Sequence, residues 1–190
     1  MNKWIISDHH WGHANIIRFC NRPFRDLMMM DSYMVIKWNE VVKEGDIVYH
    51  LGDMFWSERS AIEILPLLNG EIRLILGNHD KNWIKTKKYD KLIKSPLNPD
   101  SNLVVEERDI VRIKDPIDAV LCHYPLMSWQ SASYNVFHFH GHTHLNSCLS
   151  EGRRVNVSVE NTGYIPINLD IFKGFKSIEE VREKRRNIII

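Results

Sequence analysis

Histidine is the outlier of this sequence. There are ten in 190 residues, and an imidazole nitrogen both ligates borderline metals and exchanges protons near neutral pH. Six of them, with three aspartates and one asparagine, make up five short clusters: Asp8-His9-His10, Gly52-Asp53, Gly77-Asn78-His79-Asp80, His123-Tyr124-Pro125 and Gly141-His142-Thr143-His144. Such a set can support a pair of divalent cations about 3.5–4 Å apart, bridged by a carboxylate, completed by neutral imidazoles and hard oxygens, and left open toward water and a phosphate. The donors are nitrogen and oxygen with no thiolate among them. That mixture suits manganese, iron, cobalt, nickel or zinc better than magnesium or calcium alone, with manganese the first expectation. On an extended chain Asp8 and His10 point the same way, as do His142 and His144, so each pair is expected to grip an ion.

The clusters share a setting, because each follows an apolar stretch with strand character. Residues 3 to 7 stop at Asp8, 47 to 51 at Gly52-Asp53, 72 to 76 at Gly77, 119 to 122 at His123, and 136 to 140 at Gly141. Strand ends converge ligands more rigidly than free loops do. Between them, helical spacing of apolar residues predicts helices through Ile16 to Cys20 (broken by Pro23), from about Asp31 to Val42, and through Ala61 to Leu68, the last closed by Asn69-Gly70. A basic stretch at 81 to 94 reads as helix and 95 to 100 as loop. Further strands are expected at 103 to 105, 110 to 113 and 155 to 159. Ser177-Ile178-Glu179-Glu180 has capping-box spacing and opens a C-terminal helix, whose Lys184-Arg185-Arg186 reads as a solvated end. Alternating helices and strands followed by strands in series predict two packed sheets with helices outside, in a single domain over 1–190.

Taken in order, the five clusters resemble the motifs of the calcineurin-like metallophosphoesterase superfamily, and particularly its small, cap-less bacterial and phage members. The resemblance implies an α/β fold, a four-layer α/β/β/α sandwich of two mixed sheets with the site on loops at one edge. It implies Asp8, His10 and His144 on a first metal ion, Asn78, His123 and His142 on a second, and Asp53 bridging the two. His79 would lie beside the phosphate as proton donor or transition-state stabiliser, with Asp80 behind it. The first motif is bulkier than in many relatives, which leaves His9 and His13 unassigned; strand alternation sets His9 on the face away from Asp8. The chemistry expected is in-line attack on phosphorus by a hydroxide between the ions, with His79 assisting the leaving oxygen. The substrate expected is a small or nucleotide-like phosphodiester or phosphomonoester.

Other residues are weighed against ordinary structural roles. Arg22 and Arg25, flanking Pro23-Phe24, could fork onto a substrate phosphate, though arginines beside turns are commonplace; Asn78 and Tyr124 are further candidate substrate contacts. Trp11, Phe55, Trp56, Tyr124 and Trp129 fall near the motif loops and could stack a ring, although aromatic residues more often build core. His50, His138 and His140 alternate with apolar neighbours and read as structural or as supports for ligands.

A formal charge of +1 gives no global field for a long polyanion. A nuclease of the same fold therefore stands as the alternative rather than the first reading, kept open by Lys81, Lys85, Lys87, Lys88 and Lys91. A non-catalytic scaffold would be expected to have lost a ligand or the histidine of the third cluster. Cys20, Cys122 and Cys148 are odd in number and widely spaced, which fits reduced thiols and a cytoplasmic protein. The start has no signal-peptide pattern, and no run approaches a membrane span. Dinucleotide, Walker, zincin and nucleophile-elbow motifs are absent from the sequence. Oligomeric state is left open.

Overall fold

Period-two alternation sorts the side chains of the first strands onto two different cores. In β1 (Lys3–Ile6), Ile5 packs with Tyr49, Leu121, Phe139 and Val155, whereas Ile6 packs with Val48, Leu74, Met34 and Trp38. The next strand, β2 (Ile47–His50), divides likewise, Tyr49 to one side and Val48 to the other. Strands buried on both faces read as continuous apolar runs, which is why they stand out in the sequence. The computed structural model describes residues 1–84, 100–145 and 151–184. The lysines of the basic stretch beyond Ile84, the loop expected at 95 to 99, Cys148 and Arg185-Arg186 lie outside the described residues.

Two mixed sheets result, as the sequence predicts. β1, β2, β3 (Glu71–Leu74) and β4 (Leu103–Val105) are parallel in the order β4-β3-β2-β1, and β9 (Ile167–Asn168) runs antiparallel at the β1 edge. In the second sheet, β6 (Ala119–Cys122), β7 (Phe137–His140) and β8 (Arg154–Asn156) are parallel, with β5 (Ile110–Ile113) antiparallel to β6. Parallel strands in register bring their C-terminal ends out along one edge, and every ligand cluster follows such an end. The sheets are stitched together there: Ser7 N–H donates to the Val157 carbonyl at 3.0 Å, and Val159 N–H to the Ser7 carbonyl at 3.1 Å.

Helices α1 (Ala14–Phe19), α2 (Leu27–Val41) and α3 (Glu58–Ile64) cover the outer face of the first sheet through Ile16, Met30, Met34, Trp38, Ala61 and Ile64. α4 (Lys81–Ile84) follows the third cluster, α5 (Val159–Thr162) follows β8, and α6 (Ile178–Lys184) adds Ile178 and Val181 to the core between the sheets. On the far face of the second sheet, His138 receives the Leu126 N–H on Nε2 at 3.0 Å and lies 5.2 Å from the Trp129 ring. Among the described residues no helix is long and apolar enough to cross a membrane.

Sequence and structure part at three places. α2 begins four residues earlier than expected because Asp26 caps it, accepting the Met29 N–H at 2.9 Å. Met28 and Met29 in that first turn are exposed, so apolar type there does not mark the buried face. The strand expected at 155 to 159 ends at Asn156, and the short β9 has too few residues to show a pattern.

Asp31 on α2 accepts the Gly12 N–H, and burial pushes its carboxyl up to about 6 despite that bond and the Arg22 charge. A folded-state value above the unfolded one favours the protonated form, so this group's contribution to stability is lost as pH rises from about 4 to about 6. Asp31→Asn keeps the acceptor and cannot ionise. Above pH 6 it is expected to melt a few degrees higher than wild type, for roughly 1–2 kcal/mol after discounting partial exposure, and to match wild type near pH 4. Equal melting temperatures across that range in thermal scans would contradict the assignment.

Candidate metal centre

The first cluster leaves β1 through Ser7 and turns sharply. Asp8 and His10 both have left-handed backbone, at φ 61° and 54°. This corrects the extended-chain argument: the two side chains share a side because the chain is coiled at each of them, not because a strand alternates. Asp and His are among the non-glycine residues found most often in that region. His9 turns the other way into the core, where it stacks on Trp11 at 3.8 Å and its Nδ1 lies 2.8 Å from His50 Nε2. Arg22 holds the turn from beneath, donating to the Asp8 and His9 carbonyls at 2.7 Å each. Its side chain is fully buried and also pairs with Glu160 at 2.8 Å. The expectation that Arg22 contacts substrate is therefore corrected, since its donors are committed to the fold. Arg25 lies on the surface, paired with Asp26.

Asp80 organises the second and third clusters. Fully buried, it accepts the Asp53 N–H at 2.7 Å, the Met54 N–H at 3.0 Å, the Gly77 N–H at 2.8 Å and the Trp83 indole at 3.1 Å. A carboxylate so occupied positions two loops and has no free face for substrate, so its role is positioning rather than catalytic. Asp53, at φ 53°, turns Oδ1 to the His79 N–H at 2.8 Å. Its Oδ2 faces His10 Nε2 at 3.6 Å, His123 Nε2 at 3.6 Å and His79 Nε2 at 4.0 Å. Burial pushes the Asp53 carboxyl up to about 7, the neighbouring Asp8 and Asp80 adding to the effect and His123 opposing it. Such a group discharges its cost by meeting cations.

The last two clusters close the ring. His123 Nδ1 donates to the Leu51 carbonyl at 2.7 Å, and its Nε2 lies 3.1 Å from Asn78 Oδ1. His142 Nδ1 lies 3.1 Å from the same amide oxygen. On the other side of Asp53, donor atoms of Asp8, His10 and His144 lie within 4.8 Å of one another, as do those of Asp8, Asp53 and His123. Both ring nitrogens of buried His10 lack a hydrogen-bond partner among the described residues. Orphaned donors aimed at carboxylates are what a site built for cations presents. The structure thus brings Asp8, His10, Asp53, Asn78, His123, His142 and His144 to one place, with His79 partly exposed at its mouth.

A segment that sequence reasoning passed over supports this place. Ser7 and Ser158 hydroxyls donate to Asp8 Oδ2, the latter at 2.9 Å, and the His142 N–H reaches the same carboxylate. Asn156 donates to Thr143 Oγ1 at 2.9 Å and to the His144 carbonyl at 3.0 Å. Glu160 accepts from His144 Nδ1 at 3.0 Å. Burial alone lowers the His144 imidazole, but its hydrogen bonds with Cys20 and Glu160 and the charges of Asp8 and Glu160 reverse that, to about 10. The sequence alternates here as Asn156-Val157-Ser158-Val159-Glu160 with both valines buried, but β8 ends at Asn156 and α5 begins at Val159, so the alternation alone does not place Glu160.

Among the aromatic candidates, Trp11 and Phe55 are fully buried core. Trp129 is tied to the Val136 carbonyl at 3.0 Å. Trp56 stacks on His13 at 3.7 Å and is 38% exposed beside His79, while Tyr124 is 42% exposed and 4.7 Å from the His142 ring. His50, His138 and His140 are fully buried.

The profile of the family described as calcineurin-like phosphoesterase matches residues 1–189. The chain is 36% identical over 177 residues to an uncharacterized protein of Methanocaldococcus jannaschii, covering 88% of this chain and 87% of that one. It is 28% identical over 209 residues to the Gene 66 protein of Mycobacterium phage D29, covering 98% and 97% respectively. A crystal structure of a protein of unknown function from Aquifex aeolicus superposes with a TM-score of 0.60 at 25% identity, over 88% of this chain and 95% of that one.

Proposed function

The chain belongs to the calcineurin-like phosphoesterase family, and from that premise we propose that it hydrolyses a small or nucleotide-like phosphoester using two divalent cations, manganese first among them. The observation that carries the proposal is Asp53 Oδ2, set between His10 and His123 at 3.6 Å each with a set of donors on either side. Asp8, His10 and His144 would hold one ion; Asn78, His123 and His142 would hold the other; Asp53 would serve both. When bound, the pair supplies Lewis acidity that activates water and neutralises phosphoryl charge.

The chain's own residues contribute orientation and a proton. Asp80 fixes the backbone of Asp53 and Gly77, which sets the spacing of the donor sets. His79, its backbone anchored to Asp53 Oδ1 and its Nε2 4.0 Å from Asp53 Oδ2, stands partly exposed at the site, where it would give a proton to a leaving oxygen. Exposed Trp56 and Tyr124 flank that mouth and offer flat faces to a ring on the substrate.

The test is to remove metal, titrate manganese, nickel or zinc back, and assay paired mono- and diester substrates. Two equivalents of metal are expected to restore hydrolysis, and fewer than two at saturation would refute the proposal. His79→Ala is expected to slow a poor alkoxide leaving group by about 10²–10⁴-fold and a nitrophenolate far less, because only the former needs the proton. Equal loss on both would remove His79 from that role.

A further inference from the structure

Arg22 and Glu160 form a buried ion pair that touches both ends of the ligand array. Glu160 Oε1 lies 2.9 Å from Arg22 Nε, 2.8 Å from Arg22 Nη2 and 3.0 Å from His144 Nδ1. The same guanidinium holds the Asp8 and His9 carbonyls at 2.7 Å. Side-chain exposure is 0% for Arg22 and 2% for Glu160. Burying such a pair costs several kcal/mol per ion before the attraction is counted, so it is a poor device for stability alone. Its geometry suits another purpose, because a carboxylate on one imidazole nitrogen holds the proton there and turns the other nitrogen outward.

We propose that Glu160, held by Arg22, is a positioning residue that keeps the His144 proton on Nδ1 and presents Nε2 as a ligand, thereby setting the cation affinity of the Asp8–His10–His144 group. The inference rests on the two-cation reading above and adds how one of the two groups is tuned. Asn156 and Asn161 hold the His144 carbonyl at 3.0 Å and 2.5 Å, so backbone and ring are fixed by the same short segment. Through the guanidinium, the ring of His144 and the backbone of Asp8 are placed by a single side chain.

Another arrangement of the same atoms is less favourable. Donor atoms of Cys20, His144 and Glu160 also lie within 4.8 Å of one another and could be read as a separate cation site. An ion there would sit beside the Arg22 cation on the same carboxylate, and it would take Nδ1 from the hydrogen bond that now holds it. The positioning role needs neither.

The test is cobalt titration of metal-free wild type and Glu160→Gln, followed by visible absorption, with imidazole nitrogen NMR on the zinc-loaded proteins. Wild type is expected to bind two ions, with His144 protonated on Nδ1 and no thiolate-to-cobalt band. Glu160→Gln is expected to weaken one of the two binding events by about 10–100-fold, leave the other within a few fold, and populate both His144 tautomers, because an amide can meet Nδ1 with its NH2 as well as with its oxygen. Because the variant strands Arg22, Arg22→Met/Glu160→Gln is measured beside it; removing both charges is often neutral for folding, and the same single-site loss is expected. Unchanged affinities and tautomer in Glu160→Gln or in the double variant would overturn the inference alone. Metal on Nδ1 with a thiolate band would overturn it in favour of the Cys20 site. Failure of wild type to bind two ions would overturn the two-cation reading and this inference with it.

Discussion

Asparagine in place of Asp53 is expected to lower kcat/KM for phosphoester hydrolysis by about three orders of magnitude or more, the scale of deleting a preorganised electrostatic group, without unfolding the chain. The side chain is nearly isosteric, and its remaining oxygen can still accept the His79 N–H, which lies 2.8 Å from Oδ1 in the wild type. What disappears is the negative charge facing His10, His123 and His79. Burial already pushes this carboxyl up to about 7 in the metal-free fold. Its contribution to stability is therefore lost as pH rises from the ordinary carboxylate range to about 7, and a neutral amide escapes that loss. Metal-free Asp53→Asn should melt at or above the wild-type temperature at pH 8. With metal added the order should reverse, since ligand binding stabilises only the protein that binds. Full turnover at unchanged metal content, or a metal-free variant that is unfolded, would each show that Asp53 does something else.

The second large effect is expected from one methyl group. A Cβ on Gly77 would lie 2.6 Å from the Asp53 backbone nitrogen and would also collide with the Asp53 carboxylate. Neither neighbour can retreat, because Asp80 accepts both the Asp53 and the Gly77 N–H groups. Gly77→Ala should therefore force the second and third clusters apart, with activity at background, metal stoichiometry below two and destabilisation of about 1–3 kcal/mol or more. Gly45 provides the comparison: its Cβ would meet nothing within 4 Å, and its φ of +82° limits the expected cost to roughly 1–2 kcal/mol. Gly45→Ala should lower the melting temperature while full metal binding and turnover persist. A Gly77→Ala protein that keeps two ions would disprove the steric argument.

The sandwich was legible because strands buried on both faces leave unbroken apolar runs, and because each run that matters ends in a residue type seldom placed there without purpose. The seven side chains that meet at the candidate site were legible as a set for the same reason. What escaped follows from contacts that sequence spacing does not encode. Asp80 reads as a companion of His79, but its four hydrogen bonds come from backbone and indole groups that only folding brings near. Arg22 looks like a surface fork beside a proline until α1 and the first cluster enclose it. Glu160 stands 16 residues from His144, and no local pattern joins them. The mutual facing of Asp8 and His10 was anticipated, yet its backbone cause was not, since dihedral choice is settled by the surrounding hydrogen bonds.

That dihedral choice has a practical side. Asp8, His10, Asp53, His142 and His144 all carry positive φ, a conformation that costs of order 1–3 kcal/mol per residue and persists only where neighbours enforce it. The pocket is thus cast by the hydrogen bonds around it and not by the local preferences of the five short segments. Peptides copying the five clusters would be poor chelators, and grafting those loops onto a foreign scaffold would move the donors without their mould. The smallest portable unit is the sandwich edge together with Arg22, Asp80 and residues 156 to 160.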